Sequence, residues 1–160
     1  MRASRFIILF LFVLVAACGP SEQQKAQERA ARESLKTLQK LEAATEVGVN
    51  KLQYGPMLIE AKAAINEANR LLPNGRLKQE LNEAMQVFQD ADAVWNSSSS
   101  FINTTSEPGR TIQAKYKLPL YDAGSLTSLK NTFYSKEALP LIWPAAKPHL
   151  DEATKLLEPK

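Results

Sequence analysis

The 160-residue chain has one cysteine, one histidine and two tryptophans. With no second thiol, Cys18 can form no disulfide within the chain, so the fold must be held by packing. With His149 as the sole imidazole, neither a Cys-His nucleophile pair nor a soft zinc site can be assembled. The chain also lacks a Gly-x-Ser-x-Gly elbow, a phosphate-binding loop and a dinucleotide fingerprint. No apolar run reaches the length of a bilayer span; Phe6 to Ala17 is about a dozen residues, where roughly 20 are needed. Charge of one sign is scarce as well. The formal net charge of +3 includes Arg2 and Arg5 at the extreme N-terminus, and falls to +1 if residues 1–17 are removed. A near-neutral chain with interspersed charges lacks the basic stripe that binds phosphate backbones, so nucleic acid is excluded as an expected partner.

What is present at the N-terminus is a short basic start, the apolar run and then Val15-Ala16-Ala17-Cys18. Together they have the layout of a secretory signal with small residues before the cut. The last four residues resemble a bacterial lipobox. That resemblance covers residues 1–19 and implies cleavage between Ala17 and Cys18, with Cys18 acylated by the lipoprotein processing machinery. A single acyl chain tethers only marginally, whereas the two or three chains implied here anchor stably in membrane lipid. Gly19 follows where an aspartate would imply retention at the inner membrane. The sorting machinery is therefore expected to deliver the protein to the outer membrane, facing the periplasm. The implied organisation is a signal peptide over 1–17, a lipidated cysteine and short tether over 18–21, and a single helical domain over 22–158.

Ser21-Glu22-Gln23-Gln24 fits a capping box and opens a first helix. Ala31, Leu35, Leu38, Leu41 and Val49 give it an apolar face, and Tyr54-Gly55-Pro56 is expected to end it near Gln53. Two further stripes recur at spacings of three and four: Leu58, Ala61, Ile65, Ala68, Leu72, and Leu77, Leu81, Ala84, Phe88, Ala91, Trp95. Between them Pro73-Asn74-Gly75 offers a stop and a left-handed position, which predicts an αα-hairpin. These stripes read as core, because no ligand set accompanies them.

Periodicity fails over residues 97–124, beginning with Ser97 to Ser100. Ile112, Ala114, Tyr116, Leu118 and Leu120 alternate as a half-buried strand would, with Phe101 to Thr105 as a possible partner strand. Because Pro119 limits pairing, an extended flap over the bundle is expected, with a small hairpin as the alternative. Ser125 then caps a fourth helical segment bearing Leu126, Leu129 and Phe133. Pro140, Pro144 and Pro148 punctuate the C-terminal stretch, Pro144 opening a last helix with the stripe Ala146, Leu150, Ala153 and Leu157. The predicted fold is mainly α: an up-and-down antiparallel bundle of four to five helices with an irregular or short β-hairpin insertion at 97–124.

No cofactor or metal is expected. His149 and Glu152 stand in the reverse order to the Glu-x-x-His element of di-iron bundles, and the further carboxylates such a site needs are missing. Glu60, Glu67, Glu80, Glu83, Asp90 and Asp92 read as a solvated helix exterior. Tyr116 and Tyr121 on the insertion, with Trp95 and Phe101 beside it, are the candidate contact residues, since aromatic side chains suit partly apolar, partly wet surfaces. The expected function is that of a non-catalytic interaction or accessory module with an envelope protein partner. A small or amphipathic ligand in a cleft under residues 101–121 is the alternative, and a hydrolytic enzyme is a third class.

Overall fold

A computed structural model describes residues 21–97, 99–105, 107–121 and 131–158. Three long helices come first: α1 (Glu22–Val47), α2 (Lys51–Leu71) and α3 (Arg76–Trp95). They are followed by β1 (Phe101–Asn103), α4 (Gly109–Tyr116), β2 (Thr132–Tyr134), α5 (Ser135–Ile142), a 3-10 turn (Trp143–Ala146) and α6 (Lys147–Leu157).

The capping box at Ser21 is formed: its hydroxyl accepts from the Gln24 amide at 3.2 Å and the Gln24 side chain accepts from the Ser21 amide at 2.8 Å. α1 ends earlier than the expected Gln53. Gly48 takes the left-handed conformation at φ 90°, which a residue with a Cβ rarely adopts, and Asn50 caps the next helix by accepting from the Gln53 amide at 3.0 Å. Val49, expected on the face of helix 1, therefore sits in the turn and packs half-buried against the core. Tyr54, Gly55 and Pro56 are not the break; they lie in the opening turns of α2. The missing amide of a proline there forfeits a single intrahelical bond, which the cap and the buried Tyr54 outweigh.

The αα-hairpin forms as expected, but Gly75 is extended at φ 176° and the link uses no left-handed residue. A reciprocal amide pair between Asn69 and Asn82 (2.8 and 2.7 Å) and the Tyr54 hydroxyl donating to the Phe88 carbonyl (2.8 Å) set the antiparallel register of α2 and α3. α1 packs on α2, α2 on α3, α3 on α6 and α6 back on α1, closing a four-membered ring. Its core holds Ala31, Leu38, Leu41, Ala61, Phe88 and Leu150, all essentially inaccessible to solvent. Leu150 and Ala153 of the last helix are buried with them; that helix opens at Lys147, not at the expected Pro144, and Ala146, also buried, closes the 3-10 turn before it. Small alanines on α1, α2, α3 and α6 let the backbones approach, and the larger side chains interleave between them.

The insertion departs from its expected form. Ile112 to Tyr116 belongs to a helix, since Gly109, Ile112 and Tyr116 at spacings of three and four share one face as readily as Ile112, Ala114 and Tyr116 alternate. β1 pairs instead with β2, antiparallel, matching Phe101 to Tyr134, Ile102 to Phe133 and Asn103 to Thr132. Phe133, expected on a fourth helix, is thus in a strand and buried. Ser125, Leu126 and Leu129 lie outside the described residues, as do Ala17 and Cys18. No described helix is long and apolar enough to cross a membrane.

Candidate functional site

The topology gives the bundle two unlike ends. Ser21, the α2–α3 turn and the end of α6 share one: the Gln27 amide donates to the Leu71 carbonyl at 3.0 Å and Arg32 donates to the Leu157 carbonyl at 3.0 Å. The α1–α2 turn and the end of α3 share the other, where Lys51 donates to the Trp95 carbonyl at 3.1 Å, and α6 begins between the two ends, with Lys147 facing Glu42 at 3.7 Å. At 1.5 Å per residue, the 26 residues of α1 separate the two ends by roughly 39 Å. The two-stranded sheet follows α3 within six residues and so belongs to the second, distal end.

Alternation decides what the sheet shows to solvent. Ile102 and Phe133 point inward, filling the space beneath it, with Phe133 fully buried. Phe101 and Tyr134, a cross-strand pair, point outward with ring centroids 5.2 Å apart. Tyr121 joins them through a bridge to Thr132, its amide donating to the Thr132 carbonyl at 2.6 Å, and its ring stands 5.7 Å from Phe101. Tyr121 remains 48 % exposed. Two of the four candidate contact residues, Phe101 and Tyr121, therefore meet on one outer face, and Tyr134 completes a cluster of three rings.

The other two are placed elsewhere. Trp95 packs with Tyr54 (5.3 Å) and, edge to face, with Trp143 (5.5 Å) beneath the distal end. Burial pushes the Tyr54 phenol up, and Trp143 keeps its buried indole N–H without an acceptor among the described residues. Tyr116 fastens α4 to the bundle: its hydroxyl donates to Asp90 at 2.7 Å, beside Lys115 at 2.9 Å from the same oxygen. Burial, reinforced by the Asp90 carboxylate, raises its phenol as well. Two further residues complete this attachment. Gly109 leaves no room for a side chain, because a Cβ there would stand 2.1 Å from the Asn103 carbonyl oxygen. Glu107 accepts from the Thr111 amide at 3.3 Å, and the Thr111 side chain and amide hold its carboxyl below the usual range.

Several titratable groups outside this region are engaged in ion pairs, some joining helices and some within one helix. His149 meets Glu80 at 2.7 Å across α6 and α3, and Arg76 links Glu80 at 3.6 Å with Glu152 at 3.2 Å. Glu60 pairs with Lys40 at 3.1 Å, Glu67 with Arg70, and Asp92 accepts from Asn96 at 2.7 Å. Among the described residues no group of three metal-ligating side chains converges. The residues the sequence pattern did not single out as contacts are Tyr134 and Tyr54, the second read as part of a break. Cross-strand pairing, which carries the first outward, has no local signature in a three-residue strand. No protein-family model, curated protein or solved structure matches the chain.

Proposed function

We propose that the chain is a lipid-tethered envelope protein, anchored through acylated Cys18 in the outer membrane and facing the periplasm, that acts without catalysis as an interaction module for a protein partner. The polarity of the bundle carries this reading. Its tether emerges from the end that holds Ser21, while the aromatic face formed by exposed Tyr121 with half-buried Phe101 and Tyr134 lies at the opposite end. With α1 upright, that face is held roughly 39 Å above the membrane surface, where it meets molecules in the periplasm before lipid. Tyrosine and phenylalanine in contact, uncharged and rimmed by Asn103 and Thr104, have the make-up of the central part of a protein interface. The charged clusters support the same reading, because each is used to hold one helix to another or to itself.

The test is photocrosslinking in intact cells from a benzoylphenylalanine placed at Tyr121, with the same probe at Arg29 as the proximal control. A reproducible protein adduct from position 121 and none from position 29 is the expected result. Adducts with lipid alone, or equal labelling from both ends, would overturn the reading. Mass spectrometry of the native protein is expected to find Cys18 acylated at the N-terminus; a free thiol there removes the tether.

A further inference from the structure

Three aliphatic side chains stand farther into solvent than any other large hydrophobic residue described: Leu52 at 89 %, Val47 at 88 % and Ile59 at 72 %. Leu52 and Ile59 belong to one line along the outside of α2, formed by Leu52, Pro56, Ile59, Ala63 and Asn66, all exposed and all uncharged. Their spacing is four, three, four, three. That is the seam of a two-stranded coiled coil, in which one helix lays a 3.5-residue repeat against another. The opposite line of the same helix, Ala61, Ile65 and Ala68, is already buried in the core. α2 thus carries two apolar lines and uses one of them within its own bundle. At the distal end the free line runs into a groove of about 560 Å³ whose lining, including Val47, Val49 and Met57, contains no charged side chain.

The residues beside the line say what covers it. On the side toward α1 stand Glu60 and Glu67; on the side toward α3 stand Lys62 and Asn69. Glu60 is held by Lys40, Asn69 by Asn82, and Glu67 by Arg70 of its own helix, whereas Lys62 has no carboxylate partner among the described residues. When two such helices lie side by side in parallel, a residue flanking one seam meets the residue five positions farther along the other. Lys62 of each copy then faces Glu67 of the other, twice, across the two-fold axis. In the antiparallel arrangement the acidic flanks would face each other and the lysines would face each other.

We infer that α2 pairs in parallel with α2 of a second copy of this chain, along Leu52, Pro56, Ile59, Ala63 and Asn66, flanked by reciprocal Lys62–Glu67 ion pairs. Asn66 meets its own counterpart in this arrangement, where the two side-chain amides can pair with each other. The two-fold axis runs along the helices, so both Ser21 ends point the same way and both tethers reach one membrane. That last agreement rests on the tethered reading; the seam itself does not. Confinement of both copies to one surface raises their effective concentration and favours a contact too small to hold in dilute solution.

The test is mild oxidation of the full-length protein in native membranes. Ile59→Cys is expected to yield a disulfide-linked dimer, while Lys36→Cys, on the outer face of α1, and the wild type remain monomeric. Lys62→Glu added to Ile59→Cys is expected to reduce the dimer at least tenfold, and Glu67→Lys added to both to restore it, because the swapped charges again oppose. The inference is overturned if Ile59→Cys crosslinks no more than Lys36→Cys, if its adduct is with another protein, or if Lys62→Glu leaves the dimer unchanged. A wild-type dimer would instead show a free Cys18 thiol and overturn the lipid anchor, leaving the seam to be judged on the Lys62→Glu comparison alone.

Discussion

The long-helix ring and the distal cap of β1, α4 and β2 are stabilised in different ways. In the ring, α1, α2, α3 and α6 bury a continuous core in which Leu38, Leu41, Phe88 and Leu150 meet, so any one helix depends on the other three. In the cap, three-residue strands and the eight-residue α4 are too short to stand alone. They are held by a small set of contacts: the Tyr116–Asp90 bond, the close approach of Gly109 to Asn103, and the inward side chains Ile102, Ile112, Leu118 and Phe133, the last three buried at the edge of the ring's core. The difference teaches where function can be carried at low structural cost. A surface built from a few point contacts leaves its outer side chains free, whereas almost every inward residue of the ring is committed to packing.

The comparison is broken most forcefully from the ring side. Phe88→Ala removes a fully buried ring at the meeting of α2 and α3, and is expected to cost about 3–5 kcal/mol in chemical denaturation, with circular dichroism and tryptophan fluorescence lost together. Gly109→Ala drives a Cβ against the Asn103 carbonyl and is expected to cost about 1–3 kcal/mol. Its signature is different: hydrogen exchange should accelerate in β1, α4 and β2 while the ring amides stay protected. Uniform acceleration in both regions would mean that the two are one cooperative unit.

Smaller effects sharpen the boundary. Tyr54→Phe deletes the buried bond to the Phe88 carbonyl and is expected to cost about 1–2 kcal/mol, registering in the ring although Tyr54 lies at the distal end. Tyr121→Ala, at an exposed ring, is expected to change stability by less than about 0.5 kcal/mol while abolishing any adduct formed at the aromatic face. The smallest effect concerns pH. The Glu107 carboxyl is depressed by its bonds to Thr111, so the cap it gives α4 is present above the ordinary carboxylate range and is lost as the pH falls through the depressed value. Protection of the Thr111 amide, measured by NMR as its exchange relative to the intrinsic rate at each pH, should fall in that acidic window and hold above it, with the protection of ring amides unaffected.

The legible parts of this fold are those whose signal is local or strictly periodic. Ser21 and Gln24 spell out a capping box within four residues, and Ala61, Ile65 and Ala68 repeat at the helical period, so both are readable in the chain. Ile112 to Tyr116 is not, because alternate and three-four spacings coincide over five residues and only the surroundings choose between them. Tyr54-Gly55-Pro56 misleads for a related reason. A proline's effect depends on where the helix begins, and here Gly48 and Asn50 move that beginning upstream. Of the candidate site, Phe101 and Tyr121 are legible as candidate contact residues, but their meeting with Tyr134 depends on a pairing 33 residues apart in sequence.

By itself the amino-acid order determined the likeness of Val15-Ala16-Ala17-Cys18 to a lipobox, the balance of charge, the helical stripes and their antiparallel hairpin, since each comes from residue type and spacing alone. Only the tertiary structure decided which end carries the aromatic face, that Trp95 goes beneath it and not onto it, and that a second apolar line through Leu52 and Ile59 stays outside. The physical reason is that an amphipathic helix states how many apolar lines it has. Which line is buried depends on the neighbours that close around it.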